Sequence, residues 1–355
     1  CPMHDIAPIE LSGRHVHFVG IGGCGMSGLA RLVRDAGAVV TGSDRAAGAT
    51  IDALRADGID VVLEQTADTV PPDTDLVVAS AAIDETHPEI VAARKRDLPV
   101  QKYAQLLGAL MAARRGVAIA GTHGKSTTTS LLSHILIEAN LDPSLIVGAH
   151  CPQIGGGWRS GGSDLLVAEA CEFDRSFHHF APGHAVILNI EADHLDIYDG
   201  MDEIVDAFAV FAGQIDPDGS LLIQHESPHR LAVSGGLACR VQTIGFAPQA
   251  DWQVVIDDED ATPTVQIVHE QAITCRFTAP MPGDHMSYNA AAAAVTAHRL
   301  GAEWNAISSA VTGFTGLDRR MQRVGERSVE GGEVLIIDDY GHHPTEIDTT
   351  LRALR

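Results

Sequence analysis

Between His15 and about Arg114, short apolar runs alternate with stretches of helical periodicity. The apolar runs read HVHFVG, AVVTGSD and DLVVAS, and helices are predicted from about Gly25, near Ala53 and over AQLLGALMAARR. Strands and helices that alternate in this way form a parallel sheet covered by crossover helices. We therefore predict that residues 1–114 form a Rossmann-like domain, which binds ligands beyond the carboxyl ends of its strands.

A second alternating unit begins with the strand GVAIAG and a glycine loop. Its further predicted elements are the helix STTTSLLSHILIEA, the strand DLLVAEA, the strand AVILNI ending at Ile190, a helix near Asp202 to Phe211, β-rich segments between Leu221 and Ala279, and helices over Ser287 to Leu300 and Glu303 to Thr312. Because a strand, a glycine loop and a helix open this unit, we predict that residues 115–316 form a central α/β domain of the P-loop ATPase type.

The pattern restarts at Leu317 with a charged turn, the buried-type strand EVLIIDD and a helix beginning near Pro344. We predict that residues 317–355 are a linker and the beginning of a third Rossmann-like domain, which is incomplete. One strand and one helix cannot bury both faces of a parallel sheet. We therefore expect this segment either to pack on the second domain or to be poorly ordered.

Composition restricts the partners and the cellular location. The 355 residues are 45% hydrophobic and 20% charged, and their formal net charge is -23. Such a charge opposes binding to nucleic acids and to anionic membranes. No apolar run approaches the roughly 20 residues that span a bilayer, and the six cysteines lack paired or metal-ligand spacing. We expect a cytoplasmic protein with reduced thiols, no nucleic-acid or membrane partner, and a monomeric or weakly dimeric state.

A glycine-rich turn lies between the first predicted strand and the first helix, over Gly20 to Met26. Glycines at such a turn let backbone N–H groups and a helix N-terminus approach a diphosphate. Asp44, at the end of the next strand, lies where an acidic residue usually meets a ribose or base. Taken alone, the motif leaves a dinucleotide cofactor, another nucleotide diphosphate and a tight structural turn open.

A second glycine loop joins the strand GVAIAG to its helix. It consists of Gly121, Thr122, His123, Gly124, Lys125, Ser126 and Thr127. A lysine here neutralises phosphate charge, loop amides cradle the phosphates, and the Ser126 hydroxyl ligates Mg²⁺. The spacing departs from the standard P-loop, which has glycine where Ile119 stands. Packing gives no reason for a lysine at the start of this helix, so we predict an ATP phosphate site.

Carboxylate and imidazole groups follow two of the predicted strands. Glu169 ends DLLVAEA, and Asn189 and His194 lie in NIEADHLD. Groups of these types beside a P-loop can hold Mg²⁺ that bridges ATP to a second substrate. An isolated histidine such as His194 is more often a surface residue, whereas an unpaired buried carboxylate such as Glu169 is costly.

Two further polar sites lie near the end of the chain, in LDRRMQ and DDYGHHPTE. An arginine in an interdomain linker, such as Arg320, can reach phosphate, and an aspartate at a strand end, such as Asp339, can bind a ribose hydroxyl. From the residues alone, a surface salt bridge for the arginine and a helix cap for the aspartate are the favoured interpretations.

Seven segments occur together in this order: GIGGCGMSG, GTHGKSTTTS, VAEACEFDRSF, NIEADHLDIY, GDHMSYNAAAA, LDRRMQ and IIDDYGHHPTE. The set resembles the Mur ligase family over essentially the whole chain, and most of all its L-alanine-adding member. The resemblance implies ATP-dependent ligation of L-alanine to the lactyl carboxylate of UDP-N-acetylmuramate through an acyl phosphate, in peptidoglycan precursor synthesis. It further implies that the first domain binds the UDP-sugar, that the second binds ATP, and that Mg²⁺ is required.

The resemblance also implies roles for individual residues. UDP-sugar binding is implied for Gly22, Gly23, Gly25, Asp44 and Ser80, and ATP binding for the loop 121–127 together with Asn289, Arg320 and Asp339. Metal ligation is implied for Ser126, Glu169 and His194. Lys125, Glu169 and His194 are the catalytic candidates.

The chain departs from the family pattern at three points. Met286 replaces the first asparagine of G-x-H-N-x-x-N, and Cys171 replaces the aspartate of E-A-D-E-S-D. Several Mur ligases use a carbamoylated lysine near Mg²⁺, but Lys125 is the last lysine of this chain. The metal is therefore expected to rely on Glu169, His194 and phosphate oxygens.

Three alternatives remain open. The first is a recycling ligase of the same family that adds a tripeptide. The second is a nicotinamide oxidoreductase built on the first glycine turn, which leaves GTHGKST unexplained. The third is a truncated fragment that binds the nucleotide-sugar without turnover, since the family's third domain continues beyond Arg355. On the third ground we expect UDP-N-acetylmuramate binding with weak or no ligation.

Overall fold

The computed structural model describes residues 9–257, 263–329 and 332–354. Its first unit contains β1 (His15–Val19), α1 (Cys24–Asp35), β2 (Val39–Ser43), α2 (Ala49–Ala56), β3 (Asp60–Val62), β4 (Leu76–Ala79), α3 (Pro88–Lys95), β5 (Val100–Lys102) and α4 (Tyr103–Ala112). The strands form a parallel sheet in the order β3-β2-β1-β4-β5. The order reverses at β1, so the glycine turn lies where such sheets bind ligands, and the predicted Rossmann-like topology is confirmed.

The central sheet has ten strands. They are β6 (Arg115–Ala120), β7 (Ser144–Cys151), β8 (Gly156–Arg159), β9 (Leu165–Ala170), β10 (His184–Ile187), β11 (Ser220–Gln224), β12 (Arg240–Gly245), β13 (Trp252–Asp257), β14 (Thr264–His269) and β15 (Ala272–Thr278). Their order is β15-β14-β13-β12-β11-β10-β6-β9-β7-β8. The strands from β13 to β7 are parallel, whereas β8, β14 and β15 are antiparallel to their neighbours.

Five helices accompany this sheet: α5 (Lys125–Glu138), α6 (Met201–Ala212), α7 (Arg230–Ser234), α8 (Asp284–Arg299) and α9 (Trp304–Thr312). The sequence pattern did not predict β7 or β8. The strand predicted to end at Ile190 ends three residues earlier. The strand ends before Asn189 because the backbone of Asn189 pairs with the glycine loop, where its carbonyl accepts the Thr122 N–H at 3.3 Å.

In the third segment, β16 (Gln322–Val329) pairs antiparallel with β17 (Gly332–Asp338), and α10 (Pro344–Ala353) follows. The prediction that EVLIIDD is buried was wrong, because Val334, Leu335 and Ile336 are each 45–47% exposed. A two-stranded sheet has no second layer to cover it, and among the described residues none supplies one. Thr345 nevertheless donates to Glu191 at 2.8 Å, so this segment packs on the central unit, as one of the two expected outcomes.

Helix α4 joins the two large units. It contacts β4, β5 and α1 on one side, and β6 and the segment Phe173–His179 on the other. One continuous cluster of buried side chains accordingly runs from Val16 and Phe18 of the first sheet to Phe177 and Phe208 of the central unit. The two units therefore meet through a shared apolar core.

Two further expectations concern cysteines and membranes. The five cysteines among the described residues are free thiols, and Cys1 lies outside those residues. No described helix combines the length and the apolar character needed to cross a membrane.

Candidate active site

The loop between β6 and α5 requires glycine at two positions. Gly121 has φ +138° and Gly124 has φ +81°, both in the region that disfavours other residues. A side chain at 124 would also begin 2.7 Å from the Asn289 amide oxygen. Asn189 holds the loop from the opposite side, since its amide oxygen accepts the His123 N–H at 2.7 Å. The loop is thereby held close against α8 and the end of β10.

Lys125 begins α5, and its ammonium group is fully engaged. Its Nζ donates to the backbone oxygens of Gly121 at 2.6 Å and Thr122 at 3.1 Å. It also lies 3.0 and 2.9 Å from the two carboxylate oxygens of Glu172. Burial lowers the pKa of Lys125, but its interactions with Glu172, Cys171 and Glu169 together outweigh burial, and the pKa is raised above its ordinary value. The lysine is therefore charged and points across the loop.

Glu169 lies on β9 beside the start of α5. Its carboxylate accepts the Gly148 N–H at 2.6 Å and the Ser126 hydroxyl at 3.1 Å. Burial raises the pKa of Glu169, and the bond from Gly148 and the charge of Lys125 do not fully offset it. A buried carboxylate whose charged form is disfavoured is stabilised by a bound cation. Ser126 and Glu169 therefore fit Mg²⁺, which prefers oxygen ligands.

His194 lies in a second group of potential ligands, with Glu172 and Asp193. One ligand atom of each lies within 4.8 Å of the others, and His194 Nε2 is 4.0 Å from Glu172 Oε1. His194 has φ +51°, unusual for a residue other than glycine. Glu169 and His194, predicted together as metal ligands, thus belong to different donor groups. Sequence reasoning gave no role to Glu172, although it stands three residues after Glu169.

Glu172 is held in place through its own backbone. The buried Tyr198 hydroxyl donates to the Glu172 carbonyl at 2.6 Å. The Glu172 side chain is only 4% exposed. The Glu172 carboxylate is therefore held in a fixed position beside Lys125.

A pocket beside the glycine loop contains the predicted adenosine-side residues. Its lining comprises His123, Gly124, Thr127, Asn189, Glu191, Gln224, Phe246, His285, Met286, Tyr288, Asn289, Arg320, Asp339, Thr345, Glu346, Thr349 and Thr350. Met286 thus lies in the same pocket as Asn289. The Asp339 carboxylate accepts backbone N–H groups of Met321 at 2.8 Å and Gly341 at 2.7 Å. It braces the linker in addition to facing this pocket.

Glu346 of α10 connects the third segment to the loop. Its Oε1 lies 3.3 Å from His123 Nδ1 and 3.4 Å from Arg320 Nη1, and its Oε2 accepts the His342 N–H at 3.2 Å. Burial raises the pKa of Glu346, but the His123 hydrogen bond, the Arg320 charge and the His342 N–H together outweigh burial and hold the pKa well below the usual range. Sequence reasoning missed this contact, which joins residues more than 200 positions apart.

A second set of ligand-type side chains lies at the same junction. His123, Glu191 and His343 have ligand atoms within 4.8 Å of one another, and the two imidazole rings are 4.5 Å apart between centroids. Both nitrogens of His343 are in use, since Nε2 pairs with the Ala192 carbonyl and Nδ1 accepts the Thr345 N–H, each at 3.2 Å. In this arrangement His343 caps α10.

The glycine turn of the first unit is held largely by internal contacts. The Gly22 N–H donates to Asp44 Oδ2 at 2.8 Å, and a side chain at Gly25 would begin 2.8 Å from the Tyr103 ring. Ser80 lies beside Gly20, where a side chain would begin 3.2 Å from Ser80 Cβ. Asp44 therefore orders the turn itself in this structure.

The turn also borders the central site. Cys24 Sγ lies 3.4 Å from the Gly148 carbonyl, and the N–H of Gly148 binds Glu169. A ligand that rests on the first-unit turn can therefore extend toward Lys125. The glycine turn is therefore connected through Gly148 and Glu169 to Ser126 of the glycine loop.

Comparison with known proteins agrees with this architecture. Residues 15–115 match the Mur ligase family catalytic domain, and residues 119–297 match the Mur ligase middle domain. The UDP-N-acetylmuramate--L-alanine ligase of Carboxydothermus hydrogenoformans is 38% identical over 341 residues, which are 96% of this chain and 73% of that protein. The ligase of the same name from Streptomyces coelicolor is 40% identical over 342 residues, with the same two coverages of 96% and 73%.

Solved structures of related ligases also superpose on the chain. The UDP-N-acetylmuramate-alanine ligase of Thermotoga maritima has a TM-score of 0.80 at 26% identity, covering 96% of this chain and 77% of its own. A murein peptide ligase of Psychrobacter arcticus has a TM-score of 0.81 at 26% identity, with coverages of 96% and 76%. With both domain matches and these identities, the chain belongs to the Mur ligase family.

Proposed function

We propose that the chain is an ATP-dependent ligase that joins L-alanine to the lactyl carboxylate of UDP-N-acetylmuramate in peptidoglycan precursor synthesis. The names of the curated relatives at 38–40% identity support the reaction. The observation that carries ATP use is the position of Lys125 at the start of α5, with Ser126 and Glu169 beside it. A charged lysine at a helix N-terminus within a glycine loop suits a triphosphate.

The chemistry follows from the weakness of a carboxylate as an electrophile. Its negative charge repels an amine, and oxide cannot leave. An oxygen of the lactyl carboxylate therefore attacks the γ-phosphorus of ATP, and the bond to ADP breaks. The neutral amine of L-alanine then attacks the carbonyl carbon of the acyl phosphate, phosphate leaves, and the amine loses a proton to give the amide.

The first step brings two anions together, so positive charge and orientation must come from the protein. Lys125 offsets the phosphate charge, and the loop amides can hold the phosphates. Ser126 and Glu169 would hold Mg²⁺, which adds charge neutralisation when bound, and His194 would serve a second cation. Fixing both reactants in line within the site can contribute roughly 7 to 11 kcal/mol in favourable cases.

The remaining site residues are proposed to hold the two nucleotides. Asn289 and Asp339 face the pocket suited to adenosine, and Arg320 can reach from the linker to phosphate. The glycine turn at Gly22, Gly23 and Gly25, with Asp44 and Ser80, is proposed to take the UDP-sugar. The Gly22 N–H is bound to Asp44, so a diphosphate there would use the neighbouring amides or displace that carboxylate.

Release of ADP in the presence of Mg²⁺, UDP-N-acetylmuramate and L-alanine tests the proposal. We expect Lys125→Ala to abolish ADP release, because removal of the cation leaves the phosphates facing Glu172 and Glu169. Binding of UDP-N-acetylmuramate, measured by calorimetry, should be unchanged in that variant. Full turnover by Lys125→Ala would remove the assignment of the loop to ATP.

The tripeptide-adding reaction is the competing assignment, because solved murein peptide ligases superpose with TM-scores of 0.78 and 0.81. Parallel assays with L-alanine and with the tripeptide decide between the two. ADP release with the tripeptide alone would replace L-alanine in the proposal. Cytoplasmic location and a monomeric or weakly dimeric state stay predictions, which fractionation and sedimentation measure.

A further inference from the structure

The carboxylate of Glu172 belongs to two groups at once. Both of its oxygens lie within 3.0 Å of Lys125 Nζ. It is also the buried member of the ligand group with Asp193 and His194. His194 Nε2 is 4.0 Å from Glu172 Oε1 and 3.7 Å from Asp193 Oδ2. The same carboxylate cannot neutralise the lysine and a divalent cation equally well.

In this structure the Glu172 carboxylate is paired with Lys125. An ammonium group has three donors, and Lys125 Nζ has four acceptors within 3.1 Å. Two of those acceptors are the Glu172 oxygens, and that side chain is 4% exposed, so solvent screens the pair poorly. A cation placed among Glu172, Asp193 and His194 would meet a positive charge next to a carboxylate already paired.

The other donor pair lies apart from this competition. Glu169 is bound to the Gly148 N–H and the Ser126 hydroxyl, and neither bond involves Lys125. Oxygen ligands for a cation that accompanies the triphosphate are thus available while Glu172 is paired. The two donor groups therefore differ in how Lys125 acts on them, because it is paired directly with Glu172 but acts on Glu169 only through its charge.

We propose that the Lys125–Glu172 ion pair closes a second divalent-cation site, formed by Glu172, Asp193 and His194, and that a triphosphate opens it by drawing Lys125 away. This inference rests on the proposed binding of ATP at the glycine loop. Binding of the triphosphate and of the second cation are then coupled, and each strengthens the other. The second cation therefore binds more tightly when the triphosphate is in place.

Removal of the Lys125 charge tests, without any nucleotide, whether the Lys125–Glu172 pair keeps the second cation site closed. In Lys125→Met, Mn²⁺ added alone should bind at least about 10-fold more tightly than in the unaltered chain, measured by the loss of the free Mn²⁺ signal in electron paramagnetic resonance. A second neutral variant, Lys125→Gln, should show the same gain, with thermal unfolding used to confirm that both variants fold. Equal Mn²⁺ affinity in all three proteins would overturn the proposal.

Double variants identify the carboxylate that is released. The gain should vanish in Lys125→Met with Glu172→Gln. It should persist with Glu203→Gln, which neutralises a half-buried carboxylate paired with Arg175. It should also persist with His343→Ala, which removes one member of the other ligand group. A gain that survives Glu172→Gln would exclude Glu172 as the released ligand and overturn the proposal.

The result is separable from the ligase assignment, because no nucleotide or amino acid is present. A folded Lys125→Met chain that shows no Mn²⁺ gain, beside an unaltered chain that releases ADP with L-alanine, leaves the ligase standing and removes the ion-pair control. If Lys125→Met gains Mn²⁺ affinity but the unaltered chain releases no ADP, the ion-pair control stands and the ligase assignment is removed.

Discussion

Glu346 is the residue through which the third segment acts on the glycine loop. Its side chain is 13% exposed and contacts both His123 and Arg320. We expect Glu346→Gln to lower the free energy of local opening of α10 by roughly 1–3 kcal/mol at pH 7, because Arg320 loses its charged partner and the hydrogen bond with His123 is weakened. Hydrogen exchange of α10 amides measures this change.

The difference in the free energy of α10 opening between Glu346→Gln and the unaltered chain should depend on pH with a definite sign. The pKa of Glu346 is depressed in the folded chain from its ordinary 4.5, so its stabilisation is complete above that pH and is lost as the pH falls toward the folded value. The gap between Glu346→Gln and the unaltered chain should therefore narrow below about pH 4.5. Asp348→Asn, which alters an exposed pair with Arg352 on the same helix, is the control and should change little. A gap that is constant with pH would contradict a charged Glu346.

For single residues, the sequence predicted which side chains belong to the site better than it predicted which side chains contact one another. Lys125, Ser126 and Glu169 do lie together at one strand edge, as their positions after parallel strands predicted. The pairing of Lys125 with Glu172 was not predictable, because it depends on which way the chain turns after β9. The contact of His123 with Glu346 depends on how α10 docks, which no local pattern encodes.

Helix α4 is the element that depends most on a close backbone approach. A side chain at Gly108 would begin 1.7 Å from the His179 carbonyl oxygen, far inside any real contact. We expect Gly108→Ala to lower the free energy of unfolding by at least about 1–3 kcal/mol, because backbone and not a flexible side chain must move. Urea unfolding measures the loss. Gly48→Ala, where no atom lies within 4 Å, should be close to neutral, and equal effects of both changes would contradict this packing.

Periodicity predicted most elements, and its failures have physical causes. The helix over AQLLGALMAARR and the strand DLLVAEA were predicted because their apolar patterns match the burial of α4 and β9. The pattern of EVLIIDD is equally apolar, yet β17 pairs with β16 alone. A run of apolar residues reports an affinity for burial and not the presence of a covering layer. The strands β7 and β8 were missed, because a glycine interrupts the apolar run of β7 and two glycines make up half of β8.

The described residues contain three clusters of buried side chains, and a large one, which includes Val117 and Ile135, belongs to the central unit. One cluster of buried side chains continues from the first sheet through α4 into the central unit. A smaller cluster, which includes Ile90, Val77 and Ala79, lies entirely within the first unit. Substitutions in these last two clusters should therefore spread differently through the chain. The sequence predicted both units but could not show that they share a core, since burial against a distant element leaves the same apolar pattern as burial within one.

A comparison of Leu107 with Ile90 tests the shared core. Both are buried aliphatic side chains in helices of the first unit, but Leu107 belongs to the cluster that reaches the central unit and Ile90 to the smaller cluster. Each change to alanine should cost roughly 2–5 kcal/mol of local stability. Leu107→Ala should raise hydrogen exchange in β1 and also in β6 and β9, because α4 packs on both units. Ile90→Ala should raise exchange in β4 and leave β6 and β9 protected. If Leu107→Ala left the central strands unchanged, the two units would be opening independently, and the contact between them would be a flexible junction rather than an extension of one core.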